Sequence, residues 1–325
     1  MNYKKVNYEL GKILLIEAAL MVLPSVVALI YKEKTFVSFA VTIALLTVAG
    51  LLFSMKKPEK NKFYAKEGYL LVALAWLFMS AFGALPFVFS KSIPNFVDAF
   101  FETVSGFTTT GSTILTDVEC LPRSIQFWRS FTHFIGGMGI LVFVIAILPK
   151  TEGSAMHVMR AEVPGPTVGK LVSKLRASAR ILYAIYCGMT LLMAILLIAG
   201  GMPVFDSILN SFATAGTGGF GILNSGIAGY NSPYCEVVIA VFMMLFGVNF
   251  NLYYLALLRQ GKAVVKNEEL RWYLCIVAAA TAIISRAVTS SFFLSSFAVI
   301  TNICSHPFRA IPIFFYIAIV FKSYV

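Results

Sequence analysis

FETVSGFTTTGSTIL, residues 101–115, gathers serine and threonine hydroxyls around one glycine in a chain that is otherwise mostly apolar. Polar groups at this density need partners, and lipid supplies none. A second stretch mirrors the first. VFDSILNSFATAGTGGFG from Val204 aligns with FVDAFFETVSGFTTTGST from Phe96 without a gap, placing Asp98 on Asp206, Phe100 on Ile208, Thr109 on Thr217 and Gly111 on Gly219. The polar strip is therefore one part of an internal repeat.

The surrounding composition sets the class. Of the 325 residues, 59% are hydrophobic and 13% charged, outside the range of soluble domains and typical of a polytopic membrane protein. Apolar runs long enough to span a bilayer as helices lie near 13–31, 36–55, 69–90, 126–149, 181–199, 235–258 and 272–290, whereas Ile311–Val320 is too short. The first run lacks a small-x-small cleavage site and reads as a retained helix, not a signal peptide. The five cysteines are scattered without CxxC spacing, so neither a metal site nor a disulfide framework is indicated.

Lysine and arginine collect at Lys4/Lys5/Lys12, Lys56–Lys66, Lys150–Arg180 and Arg259–Arg271, and these segments are expected on the cytoplasmic side with the amino terminus. The net charge of +11 is thus an orientation signal, and no soluble basic face for nucleic acid is found. Stretches 91–124 and 200–234 then fall outside, each between an outgoing and a returning helix. Labelling should find residues 60 and 170 inside, and 117 and 229 outside.

Each repeat reads as helix, short amphipathic helix, glycine-ended polar strip, helix. The short helix is expected to run about nine residues, too few to span, with Asp98 or Asp206 at its N-cap. It must enter the membrane and return, which a backbone does only when buried in protein or lining water. Extended, Thr109-Thr110-Gly111-Ser112 leaves successive carbonyls free, and a ring of such oxygens replaces the hydration shell of a monovalent cation. Glycine permits the backbone angles this needs. The alternative is a Thr-rich loop with a turn glycine, which the duplication disfavours. Gly218 and Gly219 leave the second strip's key glycine ambiguous, and the alignment favours Gly219. Gly216-x-Gly218-x-x-Gly221 also matches GxGxxG, but no βαβ unit surrounds it.

SGFTTTGSTIL (105–115), WRSFTHFIGGMGILVFVIAILP (128–149) and FMMLFGVNFNLYY (242–254) together resemble the TrkH/TrkG/KtrB superfamily of potassium-uptake membrane subunits, Trk branch, over roughly Gly11 to Arg286. The resemblance implies an all-α polytopic fold of four helix–pore-helix–helix repeats around one pore, preceded by two extra helices. On this chain that gives two leading helices in 1–66, a first pore repeat in 67–150, a cytoplasmic link and second pore repeat in 151–266, and an incomplete third repeat in 267–325. It implies potassium binding by Thr109, Thr110 and Gly111 and by Thr217, Gly218 and Gly219, with potassium as transported ion and no cofactor. Trp128 and Arg129 match the start of the repeat's second helix, and Gly136, Gly137 and Gly139 its glycine cluster, for which close helix packing is an equal reading. His133 on that helix reads as a packed, satisfied histidine sooner than a proton carrier. GPTVGKLVSKLRASAR (165–180) resembles the family's basic link, which touches a cytosolic nucleotide-binding regulatory subunit, or is a plain positive-inside loop. A homodimer in the bacterial plasma (inner) membrane is implied as well.

The pattern stops after Thr301. FFLSSFAVIT (292–301) begins like a pore helix, but no further Thr-Thr-Thr-Gly strip follows, so a fragment, a frameshifted copy or a decayed paralogue is expected. The alternative class is a membrane enzyme or regulatory binding protein without transport, using Asp98, Glu102, Asp206 and His133. These residues lack the spacing of an acid–base or metal constellation.

Overall fold

The computed structural model describes residues 3–55, 65–137, 139 and 175–292, and among them every regular element is helical. Chain order is α1 (Tyr3–Leu20), α2 (Val22–Ile30), α3 (Thr35–Ser54), α4 (Ala65–Gly83), α5 (Leu85–Phe89), α6 (Phe96–Phe107) and α7 (Arg123–Gly137). After the undescribed stretch come α8 (Leu175–Ala199), α9 (Val204–Ala215), a 3-10 turn at Gly226–Tyr230, α10 (Pro233–Gly247), α11 (Phe250–Leu257), α12 (Gly261–Val265) and α13 (Glu268–Phe292). Among the described residues, four helical stretches are long and apolar enough to cross a membrane, Tyr3–Ile30, Thr35–Ser54, Lys66–Phe89 and Ala179–Ala199, with the bent pair Pro233–Gly247 and Phe250–Leu257 passing only when taken together.

The leading helices cross at glycine. A Cβ on Gly11 would meet the Gly50 carbonyl oxygen at 2.6 Å and one on Gly50 would meet the Gly11 oxygen at 2.9 Å, so α1 and α3 approach to backbone contact. Between membrane helices, where lipid is as apolar as leucine, such small-residue contact is a main source of association. The outward face of α3 keeps Val37, Val41, Leu45, Val48 and Leu52 exposed, as expected of a surface that faces acyl chains.

Two apolar clusters organise the rest. One gathers α1, α3, α4, α6 and α7 around Phe39, Phe107 and Trp128; the other gathers α8, α9 and α10 around Tyr186, Met193, Leu197 and Phe246. Phe134 of α7 joins them. Its ring stacks on Tyr186 and packs against Phe212, both at 4.9 Å between centroids, while the Tyr186 hydroxyl donates to the Phe134 carbonyl at 3.0 Å.

The short helices ahead of the two strips match in length: α6 and α9 are both 12 residues long and start 108 positions apart. The short helices are thus longer than the nine residues expected.

The run 69–90 holds as one crossing-length stretch, Lys66–Phe89, with a single turn residue at Ala84 ahead of Pro86. Two further expectations change. The N-cap of α6 is Asn95, whose side chain accepts from Val97 N at 2.9 Å, and that of α9 is Pro203; Asp98 and Asp206 lie inside the first turn. There a carboxylate acts on the helix dipole instead of capping one amide. The run 235–258 breaks at Val248–Asn249, where α10 and α11 meet at 90°. Asn249 stabilises that corner, accepting from Asn251 N at 3.0 Å and donating to Glu269 of α13 at 3.0 Å. The basic segment 165–174, the pore-helix candidate 293–301 and the tail lie outside the described residues.

Candidate functional site: the paired polar strips

Each strip begins as the termination of a short helix, and the two terminations are superposable bond for bond. After α6, Thr108 N donates to Val104 O (2.9 Å), Thr109 N to Gly106 O (3.0 Å) and Thr110 N to Ser105 O (2.9 Å). After α9, Gly216 N donates to Phe212 O (3.2 Å), Thr217 N to Thr214 O (2.8 Å) and Gly218 N to Ala213 O (3.1 Å). The paired 6→1 and 5→2 bonds form a Schellman motif, which normally places glycine at the left-handed position. Here threonine occupies it, with φ of 56° at Thr109 and 55° at Thr217. A β-branched side chain there costs about 1–3 kcal/mol, and such strain persists only where the surroundings over-determine it.

Two residues on, the chain turns left-handed again at Gly111 (φ 77°) and Gly219 (φ 83°). In backbone conformation, Gly219 is therefore the equivalent of Gly111. Gly218 has a different neighbour. A Cβ built on Gly111 would land on the Gly218 carbonyl, so the two strips touch at this point. Thr109, Thr217 and Gly218 are buried, Thr110 and Gly219 exposed, and Gly111 is intermediate.

Helix α7 wedges between the two short helices and touches both strips. Cβ atoms placed on Gly106 and Gly136 would collide with Thr132 Oγ1 and the Phe107 carbonyl; one on Gly137 would meet Gly216 Cα at 2.7 Å. These glycines thus act by close packing. Trp128 fixes the helix, its indole N–H donating to Gly83 O at 2.9 Å.

Behind the strips lies a buried ion pair that sequence reasoning missed. Arg129 Nε donates to Glu102 Oε1, with side-chain exposures of 4% and 0%. Glu102 also accepts from Thr113 Oγ1 (2.9 Å) and Ile114 N (3.0 Å) just past the first strip. Arg129 Nη1 donates to Gly221 O (2.9 Å) just past the second, and its guanidinium stacks 3.7 Å from the Phe220 ring centroid. One pair thus ties the far ends of both strips. The available signal was Glu102 itself, a second carboxylate on a short helix that otherwise carries only Asp98, near its start.

On the loop side a second tie joins the repeats. Asn224 Nδ2 donates to Asp117 Oδ1 (2.8 Å), Val118 N to Asn224 Oδ1 (2.9 Å) and Asn224 N to Glu119 Oε1 (2.8 Å). The hydrogen bond from Asn224 holds the Asp117 carboxyl below the usual carboxylate range, helped by the backbone N–H of Glu119. Asp206 accepts from the Tyr230 hydroxyl at 2.9 Å. The acidic candidates are thereby spent separately, Glu102 on Arg129 and Asp206 on Tyr230. His133 is fully buried, as expected of a packed histidine, but neither ring nitrogen has a partner among the described residues.

The sequence model of TrkH, described as a cation transport protein, matches residues 32–312. This chain belongs to the TrkH family. It is 36% identical over 279 residues to the Trk system potassium uptake protein TrkH of Salmonella typhimurium, covering 84% of this chain and 58% of that protein. It is 32% identical to the Trk system potassium uptake protein TrkG of Escherichia coli K12, covering 85% and 58%. The chain thus spans just over half the length of these TrkH-family relatives. Among solved structures it resembles the potassium transporter TrkH from Vibrio parahaemolyticus, with a TM-score of 0.82 and 26% identity over 99% of this chain and 70% of that one. The long apolar helices are in keeping with a family described as cation transport proteins.

Proposed function

We propose that the chain forms part of the pore of a potassium-uptake subunit, and that residues 109–111 and 217–219 are two walls of its ion filter. The observation that carries this reading is the identical left-handed Thr-x-Gly geometry at Thr109/Gly111 and Thr217/Gly219, with the strips in contact at Gly111 and Gly218. Strained backbone repeated at the same place in two copies, behind a shared ion pair, suits a task that needs carbonyl oxygens held in fixed directions. The names of the relatives supply the ion. In this reading α6 and α9 are re-entrant pore helices within helix–pore-helix–helix repeats, and their carboxyl ends direct the negative end of the helix dipole at a potassium ion. The ion is substrate and no cofactor takes part.

The same reading keeps 1–66 as leading helices, 67–150 and 151–266 as the two pore repeats with a cytoplasmic link, and 267–325 as the start of a third. The lysine clusters support an amino terminus on the cytoplasmic side, and the bacterial inner membrane rests on the family resemblance. Assembly as a homodimer and contact with a cytosolic nucleotide-binding subunit through the basic link rest on the family resemblance.

The test is ion preference. In the gene's complete product, expressed in cells lacking potassium uptake, Gly111→Ser and Gly219→Ser should each lower the preference of rubidium uptake for potassium over sodium competition by about tenfold, equal to about 1.4 kcal/mol. Gly137→Ala, on the packing face of α7, should lower the uptake rate and leave the preference unchanged. Unaltered preference in both strip variants overturns the filter assignment.

A further inference from the structure

The two strips differ on one face. Thr108 and Thr110 of the first strip are exposed and their hydroxyls lie 2.8 Å apart, whereas their equivalents in the second strip, Gly216 and Gly218, are buried and bare. The space next to those glycines is taken by His133 of α7. A Cβ on Gly218 would fall onto Cδ2 and Nε2 of the imidazole, and one on Gly216 would meet the His133 backbone, its carbonyl carbon at 2.9 Å, and the His133 Cβ at 3.0 Å. Two residues further on, the Phe220 ring meets the imidazole edge-on, 4.0 Å between centroids at 87°. Residues 216, 218 and 220, alternating along the strip, thus all rest on His133, the first on its backbone and Cβ and the other two on its ring.

We infer that His133 is the positioning residue of the second strip: its ring stands where the first strip carries its own Thr108–Thr110 hydroxyl pair, and it holds the Gly218 carbonyl against Gly111. This rests on the filter reading above. Shape carries the role, because both ring nitrogens are unpartnered among the described residues while the ring's flat edge contacts the backbone. Residue 218 has to be glycine because the histidine is there, and the coupling is reciprocal.

The experiment is a double-mutant cycle between positions 133 and 218, with Gly219→Ser as reference. Gly218→Ala should lower the melting temperature of the detergent-purified chain and reduce potassium-over-sodium preference in the complete gene product by about tenfold. His133→Ala should reduce the preference by about threefold, and His133→Ala/Gly218→Ala should recover to within about threefold of wild type, a coupling within the range found for residues in contact. Additive losses in melting temperature overturn the inference, and so does a recovered melting temperature without recovered preference. If Gly111→Ser and Gly219→Ser both leave preference unchanged, the filter reading falls. If Gly219→Ser shifts it while the double variant fails to recover, only the role of His133 falls.

Discussion

At the scale of single residues, the buried Glu102–Arg129 pair is where charge and strip geometry meet. Removing two charges from water costs several kcal/mol each, and their attraction offsets this only when the remaining hydrogen-bonding positions are filled. Here they are: Glu102 has Thr113 and Ile114, and Arg129 has Gly221 and the Phe220 ring. Glu102→Ala leaves a guanidinium buried without its counter-charge and should destabilise by about 3–5 kcal/mol. Glu102→Ala/Arg129→Met, which removes both charges, should cost markedly less. Melting temperatures of the purified variants check this, and a double variant as unstable as the single would contradict it. The pair was illegible in the sequence because its members lie 27 positions apart on different helices, with no periodicity linking them.

At the scale of elements, the first turn of α7 is held from outside its own repeat. Glu33, in the turn between α2 and α3, accepts from Arg123 N at 2.7 Å, from Ser124 N at 3.1 Å and from the Ser124 hydroxyl. Free amides at a helix start favour a carboxylate both as hydrogen-bond acceptor and as charge. Glu33→Ala should therefore cost about 1–2 kcal/mol, whereas Glu9→Ala, which removes only the partly buried pair with Lys12 one turn along the same helix, should cost about 0.5 kcal/mol. Equal shifts in thermal unfolding would remove the special role of Glu33. The contrast shows what one sequence reveals about elements. The two polar strips and the short helices before them were legible because Thr109 and Thr217, and Gly111 and Gly219, repeat with the same spacing in an apolar background. The N-caps were misread because the repeated aspartates drew attention from Asn95, three positions earlier. The corner at Val248–Asn249 was hidden inside an unbroken apolar run, and only Asn249 bonding to α13 shows why the helix turns there.

At the scale of the whole molecule, the two repeats are fastened above the strips by Asn224 and below them by α7. The upper fastening is pH-sensitive. Asp117 has its carboxyl held low in the folded state by Asn224, so its contribution is fully present above the unfolded carboxylate value and is lost as pH falls through the lowered folded value. The melting temperature should accordingly decline on acidification through that window, and Asn224→Ala should flatten this part of the profile; an unchanged slope would exclude the fastening. The lower fastening has a historical consequence. When a unit is copied in tandem, each copy is ordinarily free to drift, and differences between the copies record chance. With His133 of the first unit seated against Gly218 of the second, that freedom is gone at this position. The difference between Thr110 and Gly218 thus follows from what stands behind each strip: a histidine ring behind the second, and the first strip's own hydroxyl pair in its place.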